Sequence, residues 1–109
     1  MDAYAAFNRR DVKALLDLVS DDMDWPDGDD RLVGKAAVKQ YWLRQWTTTR
    51  THGEPLRFTA VSPQELVVDI SQTVQDLDGR ALSRGLFQHS LYVAGGLIKR
   101  LDISPARRD

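Results

Sequence analysis

The stretch LVVDISQTVQ (residues 66–75) decides the fold, because side chains of one character recur at every second position. This period of two is typical of a β-strand, in which successive side chains point to opposite faces. We therefore predict a long amphipathic strand whose inner face carries Leu66, Val68, Ile70, Gln72 and Val74. Gln72 is the one polar residue of that face. Since a buried amide needs a hydrogen-bond partner, we expect it to contact His89, a ligand or water near a rim.

Alternation continues on both sides of this stretch and predicts a meander of strands. A loop at residues 52–55 leads into the strand before it, residues 56–60, and residues 80–93 and 97–103 form the two strands that follow. Short polar or glycine-rich segments at residues 62–64, 76–79 and 94–96 supply the turns, and Asp78-Gly79 is a frequent hairpin turn. Phe87 and His89 share the predicted inner face of the strand 80–93.

The first half of the chain is predicted to be mainly helical. A short helix carries Tyr4 and Phe7 on one face, and Asp11 is a suitable N-cap for a second helix that runs to about Val19. Residues 23–27 and 31–34 predict a brief hairpin. A helix over residues 35–48 follows, and its buried stripe is Val38, Tyr41, Trp42, Gln45 and Trp46. Helices first and antiparallel strands later predict one α+β domain over residues 1–109, with a curved sheet wrapped around a long helix.

Composition limits the classes of function. A net charge of -1 favours neither nucleic acid nor an anionic membrane as a partner. The chain has no cysteine, its two histidines lack a ligand-like spacing, and it carries no glycine-rich phosphate motif, so we predict no metal and no cofactor. No apolar run reaches the length of a membrane span, and the first residues lack the features of a signal peptide, which predicts a cytoplasmic protein.

Three segments in order resemble the nuclear transport factor 2-like superfamily, which includes SnoaL-like proteins. They are residues 4–16 (YAAFNRRDVKALL), residues 21–38 (DDMDWPDGDDRLVGKAAV) and residues 95–102 (GGLIKRLD). The resemblance implies a cone-shaped domain with a pocket at its wide mouth and a homodimer packed through the outer face of the sheet. Members usually begin with a longer first helix, so we expect one lip of this cone to be less covered. The outward residues of the expected dimer face are Val67, Leu86, Tyr92 and Ile98.

The family's chemistries can be compared with this chain position by position. In the ketosteroid isomerases a general-base Asp ends the first strand, and Asp27 occupies that position here. Their catalytic Tyr falls on Ala3, with Tyr4 one residue out of phase, and their late acid falls near His89. The epoxide hydrolase positions fall on Gln72, Val74 and Ile103, which supply neither an ionised base nor an acid, so that activity is excluded. Polyketide cyclases use a pocket acid or His, for which Asp27 and His89 are candidates.

Two classes of function remain open. In the first, an isomerase-like or cyclase-like enzyme uses Asp27 as the base and His89 and Gln72 as polar groups that orient an apolar or aromatic carbonyl substrate. In the second, the chain is a ligand-binding or dimerisation domain with the same pocket and no catalysis. A further alternative is a purely structural domain whose cone is filled by its own tryptophans. Taken alone, Asp27 is more typical of a solvated turn than of a catalytic base. A histidine on an apolar strand face is usually a satisfied core residue, but the inside of a small barrel is also its pocket, so both readings of His89 stay open. The candidate ligand-binding residues are Trp25, Tyr41, Trp42, Trp46, Gln72 and Phe87.

Overall fold

A computed structural model describes residues 2–105 as three short helices and six strands. The helices are α1 (Asp2–Asn8), α2 (Val12–Leu18) and α3 (Lys35–Gln45). The strands are β1 (Val19–Asp27), β2 (Asp30–Val33), β3 (Thr49–Ser62), β4 (Glu65–Asp76), β5 (Ala81–Ala94) and β6 (Leu97–Pro105). The predicted α+β class is confirmed. None of the helices in this described part is long and apolar enough to cross a membrane.

All six strands belong to one curved sheet in the order β2-β1-β6-β5-β4-β3. Neighbouring strands are antiparallel, except that β1 runs parallel to β6. The register places Ile70 opposite Phe87 and Val68 opposite His89, so the alternation read from residues 66–75 identifies the inner face of the sheet. Val68 and Ile70 are buried on that face, which confirms the prediction.

The three helices cover the inner face and supply the other half of the core. The buried stripe of α3 has Val38 and Trp42 at its centre, both with no solvent exposure, and Tyr41, Gln45 and Trp46 half-buried beside them. The helix ends three residues earlier than predicted. The hydroxyls of Thr47, Thr48 and Thr49 donate to the carbonyls of Arg44 and Gln45, and such side-chain donors satisfy groups that a helix end leaves without partners. The predicted N-cap is confirmed, since the Asp11 carboxylate accepts the Ala14 N–H at 3.1 Å.

Helix α1 is attached to the sheet through the side chain of Asn8. The Asn8 amide donates to the Gly53 carbonyl and accepts the Gly53 N–H, both at 2.9 Å. Since β3 is the last strand of the sheet, these bonds pair backbone groups that have no strand on that side. A Cβ at Gly53 would lie 2.9 Å from Cδ1 of Ile70, so a larger residue there would have to displace the end of that buried side chain. Asn8 thus fixes α1, with Tyr4 on it, over one end of the inner face.

An ion-pair cluster ties β1, β2 and β6 together on the other side of the sheet. Arg31 donates to the carboxylates of Asp24 and Asp102 at 2.6 and 3.0 Å, and also to the backbone carbonyls of Asp24 and Leu101. Arg100 bonds Asp102 as well, at 3.1 Å, as expected for two residues on one strand face. The Arg31 guanidinium therefore bridges the parallel pair, where the ladder is interrupted between Val19 and Asp24.

Three expectations from the sequence were wrong in position. Val19, assigned to a helical stripe, is the first residue of β1 and is buried against β6. The expected loop at residues 52–55 belongs to β3, which bends at a register shift between Pro55 and Arg57. Ile98, assigned to the outer face, lies in the core. A register shift between Tyr92 and Val93 adds one residue to β6, so the residues of β6 before the shift lie on the opposite face from the one that the alternation predicts.

Candidate functional site

A cavity of about 580 Å³ lies between the helices and the inner face of the sheet. That volume suits a small organic molecule, since ligand pockets commonly span about 300–1,000 Å³. Most of the wall is apolar, with contributions from all three helices and five of the strands. Among the residues that the structure describes, no Asp, Glu, Lys or Arg lines the cavity. Its ionisable side chains are two tyrosines and one histidine, Tyr4, Tyr41 and His89.

The polar centre of the cavity is a hydrogen-bonded pair. The hydroxyl oxygen of Tyr4 lies 2.9 Å from Nδ1 of His89, and the two rings are stacked with their centroids 5.8 Å apart. His89 is only 7% exposed, and burial lowers the pKa of its imidazole from 6.5 to about 4, so the ring is neutral at pH 7. Burial also raises the pKa of Tyr4, which therefore keeps its proton. The pair brings an α1 residue onto β5 and leaves Nε2 of His89 buried without a partner.

Four aromatic side chains pack in a closed ring beside the cavity. Phe7 contacts Trp25 and Trp46, at centroid distances of 6.4 and 5.7 Å. Trp42 completes the ring, edge-on to Trp25 at 5.2 Å and stacked with Trp46 at 6.4 Å. Such arrangements match the preferred geometries of aromatic pairs. A broad aromatic surface next to an apolar cavity suits a flat ligand.

Several predicted site residues come together in this cavity, and three do not. His89, Gln72, Trp25, Tyr41 and Trp42 all line it. Trp46 and Phe87 pack against the core but are not lining residues, and Asp27 is not one either. The tryptophans do not fill the cone, since the cavity persists beside the fully buried Trp42. Gln72 does not bond His89, whose partner is Tyr4.

Asp27 lies at the edge of the cavity with its side chain exposed. It is the last residue of β1 and pairs with Asp30 across the turn to β2. Its neighbours Pro26 and Gly28 both line the cavity, so its backbone runs along the rim. The pKa of Tyr41 is raised chiefly by burial and in addition by the negative charge of Asp27. The carboxylate is therefore close to a lining residue without being part of the wall.

Polar atoms without partners are concentrated around this cavity. Within residues 2–105, the buried side-chain atoms that lack a hydrogen bond are Nε2 of His89, Oγ1 of Thr51 and Nε1 of Trp42 and of Trp46. Three of these four residues line the cavity. Because buried polar groups are nearly always paired in folded proteins, such a group favours a ligand that completes it. No group of three or more His, Cys, Asp or Glu side chains in the described chain is arranged to hold a metal ion.

Sequence reasoning missed Tyr4 and Thr51. Tyr4 lies one residue away from the isomerase tyrosine position, so the family comparison does not select it, although its spacing from Phe7 indicates a shared buried face. Thr51 lies between the predicted helix, which ends at residue 48, and the expected loop at residues 52–55, and it faces inward only because β3 begins at Thr49. For Tyr4 the period of α1 was a usable signal, whereas for Thr51 the sequence offers none.

Comparisons with known proteins agree with this architecture. The model of a family described as the SnoaL-like domain matches residues 2–100. A putative polyketide cyclase from Sinorhizobium meliloti is 23% identical, with a TM-score of 0.80 over 93% of this chain and 88% of that one. TerC co-crystallised with polyporic acid is also 23% identical, with a TM-score of 0.80 over 95% of this chain and 85% of its own. A Δ5-3-ketosteroid isomerase from Mycobacterium sp. is 18% identical, with a TM-score of 0.81 over 94% and 86%. These identities establish a shared fold, and no curated protein matches the sequence.

Proposed function

Because this chain belongs to the SnoaL-like family, we propose that it binds a flat, apolar carbonyl compound in its cavity and moves a proton at the carbon next to the carbonyl. One observation carries the proposal: within residues 2–105, a cavity of about 580 Å³ has no charged lining residue and has on its wall a histidine whose buried Nε2 is unpartnered. Apolar walls bind the body of the molecule, and the imidazole binds its single polar group. The structure of TerC, which contains polyporic acid, supports a molecule of this general shape.

The proton transfer divides between two residues. A neutral His89 supplies one N–H, which donates to the carbonyl oxygen and stabilises the charge of an enolate. Asp27 accepts the proton from the α-carbon, the C–H electron pair moves into the enolate, and the proton returns to carbon in the reverse step. Its position at the rim, next to lining residues Pro26 and Gly28, supports this role for a substrate that extends to the edge of the cavity.

Ligand binding without catalysis is the second candidate, and the exposed side chain of Asp27 favours it. A carboxylate in water is a weaker base toward carbon than a desolvated one, because burial is what raises the pKa of a carboxyl group. In that reading His89 and the aromatic walls hold the ligand, and Asp27 is a turn residue. A single experiment separates the two candidates.

We expect 2-acetylnaphthalene to bind and to exchange its methyl protons in D₂O faster in the presence of the protein. Calorimetry measures binding, with 2-ethylnaphthalene as the matched probe that lacks the carbonyl, and proton NMR follows the exchange. Asp27→Asn should lower the enzymatic exchange rate about 100-fold or more while leaving affinity within a factor of about two. Asp30→Asn, its partner across the turn, is the control and should leave both unchanged.

Each result decides between the candidates. Binding of the ketone with exchange at the background rate would establish the non-catalytic reading for this class of molecule. Exchange that persists in Asp27→Asn would remove Asp27 as the base. Equal, weak affinity for ketone and hydrocarbon would contradict the proposal that the imidazole binds the carbonyl.

We also propose that the protein is a homodimer packed through the outer face of its sheet. Leu86 supports this, since it is 59% exposed on β5, and Val67 and Tyr92 lie half-buried on the same face. We expect light scattering at micromolar concentration to give twice the 12.4 kDa mass of the chain, and Leu86→Glu to halve it. Leu56→Glu, an equally exposed leucine on edge strand β3, is the control. A monomeric mass for the unaltered protein would rule out the dimer.

A further inference from the structure

The hydrogen bond between Tyr4 and His89 admits two arrangements of protons. Either the Tyr4 hydroxyl donates to Nδ1, and the single ring proton of the neutral imidazole is on Nε2, or Nδ1–H donates to the Tyr4 oxygen. The two arrangements give Nε2, the buried nitrogen of this lining residue, opposite hydrogen-bonding characters. In the first Nε2 carries a proton and is a donor, and in the second it presents a lone pair and is an acceptor.

The strength of the hydrogen bond distinguishes the two arrangements. Within the described residues the Tyr4 hydroxyl contacts no other hydrogen-bonding group, and Nε2 of His89 has no partner. Each arrangement leaves one donor and one acceptor of the pair unpaired: Nε2–H and the Tyr4 oxygen if the hydroxyl donates, or the Tyr4 O–H and the Nε2 lone pair if Nδ1 donates. The two differ in strength, because a phenol O–H is a better donor than an imidazole N–H and an imidazole nitrogen is a better acceptor than a phenol oxygen. The arrangement in which the hydroxyl donates therefore makes the stronger bond and leaves the weaker acceptor unpaired, so it is favoured.

We propose that Tyr4 is a positioning residue, whose hydroxyl donates to Nδ1 of His89 and thereby fixes the ring proton on Nε2, so that the cavity presents a hydrogen-bond donor to its ligand. The low pKa of His89 supports this, because a neutral ring carries only one proton to place. The same logic holds wherever a hydrogen bond to one ring nitrogen sets which nitrogen of a functional histidine carries the proton. The assignment of the proton stands independently of any ligand, while its role in recognition rests on the proposed function.

A second unpaired donor indicates which class of ligand the cavity favours. Nε1–H of Trp42 is a donor that cannot accept, and it is fully buried on a lining residue. No carboxylate lines the described part of the cavity to accept a proton from a ligand. At these two nitrogens the site therefore favours a neutral molecule whose polar atom only accepts, such as a ketone, over the corresponding alcohol, whose O–H would need a separate acceptor in the wall, such as Gln72 or Thr51.

The tautomer can be measured directly, because the chain contains only two histidines and one of them is an internal reference. With ¹⁵N-labelled histidine at pH 7, long-range ¹H–¹⁵N spectra should show His89 as one species with its proton on Nε2. His52, whose side chain is 60% exposed, should show the averaged signals of a solvated ring. Proton location on Nδ1 of His89 in the unaltered protein would overturn the proposal without any variant.

Two variants then assign the effect to the Tyr4 hydroxyl. Tyr4→Phe should move part of the His89 population to the Nδ1–H tautomer, because the hydroxyl that donates to Nδ1 is gone. Tyr92→Phe removes the same atom three residues along β5 and on the opposite face of the strand, and it should leave the His89 signals unchanged. An unshifted tautomer in Tyr4→Phe would show that Tyr4 does not set it.

The relative affinities for a ketone and the matching alcohol provide a second test of the proposal. We expect the protein to bind 2-acetylnaphthalene about tenfold more tightly than 1-(2-naphthyl)ethanol, since the donors Nε2–H of His89 and Nε1–H of Trp42 offer the alcohol O–H no acceptor. The preference should fall to within about threefold in Tyr4→Phe, where the ring can present either nitrogen state. Equal affinities in the unaltered protein would contradict the donor-presenting cavity. If neither probe binds, the proposed function fails, and the tautomer spectra still decide the role of Tyr4.

Discussion

Lowering the pH from 7 to 5 is expected to reduce the free energy of unfolding by about 2 kcal/mol through His89 alone. His89 is buried, and its pKa is lowered from 6.5 to about 4 in the folded protein. Between these two values the unfolded chain binds a proton that the folded chain does not. Stability therefore rises with pH across this window, and the contribution of His89 is fully present above pH 6.5 and lost progressively toward pH 4.

Urea denaturation at pH 7, 6 and 5 measures this effect, above the range in which most carboxylates titrate. His89→Gln should be less stable at pH 7 but should lose most of the slope with pH. His52→Gln is the matched control, because its side chain is 60% exposed, and the full slope should remain. The same slope in His89→Gln as in the unaltered protein would mean that His89 is not buried in its neutral form.

Replacing Trp42 by alanine is expected to destabilise the protein by about 3–5 kcal/mol, a large part of the stability of a domain this size. Trp42 has no solvent exposure and is the largest fully buried side chain of the described core. Its removal breaks contacts with Trp25 and Trp46 and leaves a void that joins the existing cavity. Trp42→Phe keeps an aromatic ring and removes the unpaired N–H, so it should cost much less.

Thermal and urea unfolding of Trp42→Ala and Trp46→Ala test whether Trp42 is the centre of the buried aromatic cluster. Trp46 follows the last residue of α3 and is only half-buried, so Trp46→Ala should cost less than half as much as Trp42→Ala. Equal losses would mean that the centre of the aromatic cluster is not at Trp42. Both proteins should be compared at pH 7, where His89 does not contribute to the difference.

The sequence predicts the inner face of the sheet well, because a strand's period of two is a local property. Val68, Ile70 and His89 all lie on the face that the alternation assigns them. The errors arise where a register shift breaks the period, since the pattern then continues one residue out of phase. Ile98 changes face for this reason, and the bend of β3 after Pro55 leaves Leu56 exposed.

The site was less predictable, because its polar contacts join residues that are distant in the chain. Tyr4 and His89 are separated by 85 positions, and the local sequence pattern around either residue does not indicate that it contacts the other. His89 could be identified from its strand as a pocket residue, but the tyrosine that pairs with it could not. Asp27 was chosen from a family position, and whether its carboxylate faces the cavity depends on the exact end of β1 and the turn to β2.

The parallel pairing of β1 with β6 has a consequence for how the chain folds. Val19, near the start, pairs with Ile98, near the end, so the middle of the sheet closes only when the last strand arrives. Pairings between distant segments must overcome the entropy of closing a long loop, and such topologies fold in milliseconds to seconds rather than microseconds. During synthesis the hairpins from β3 to β5 can form first, while the edge of β1 that pairs with β6 remains without a partner strand. Commitment to the native state thus depends on β6, and deleting that strand should be far more damaging than an insertion at the β4–β5 turn.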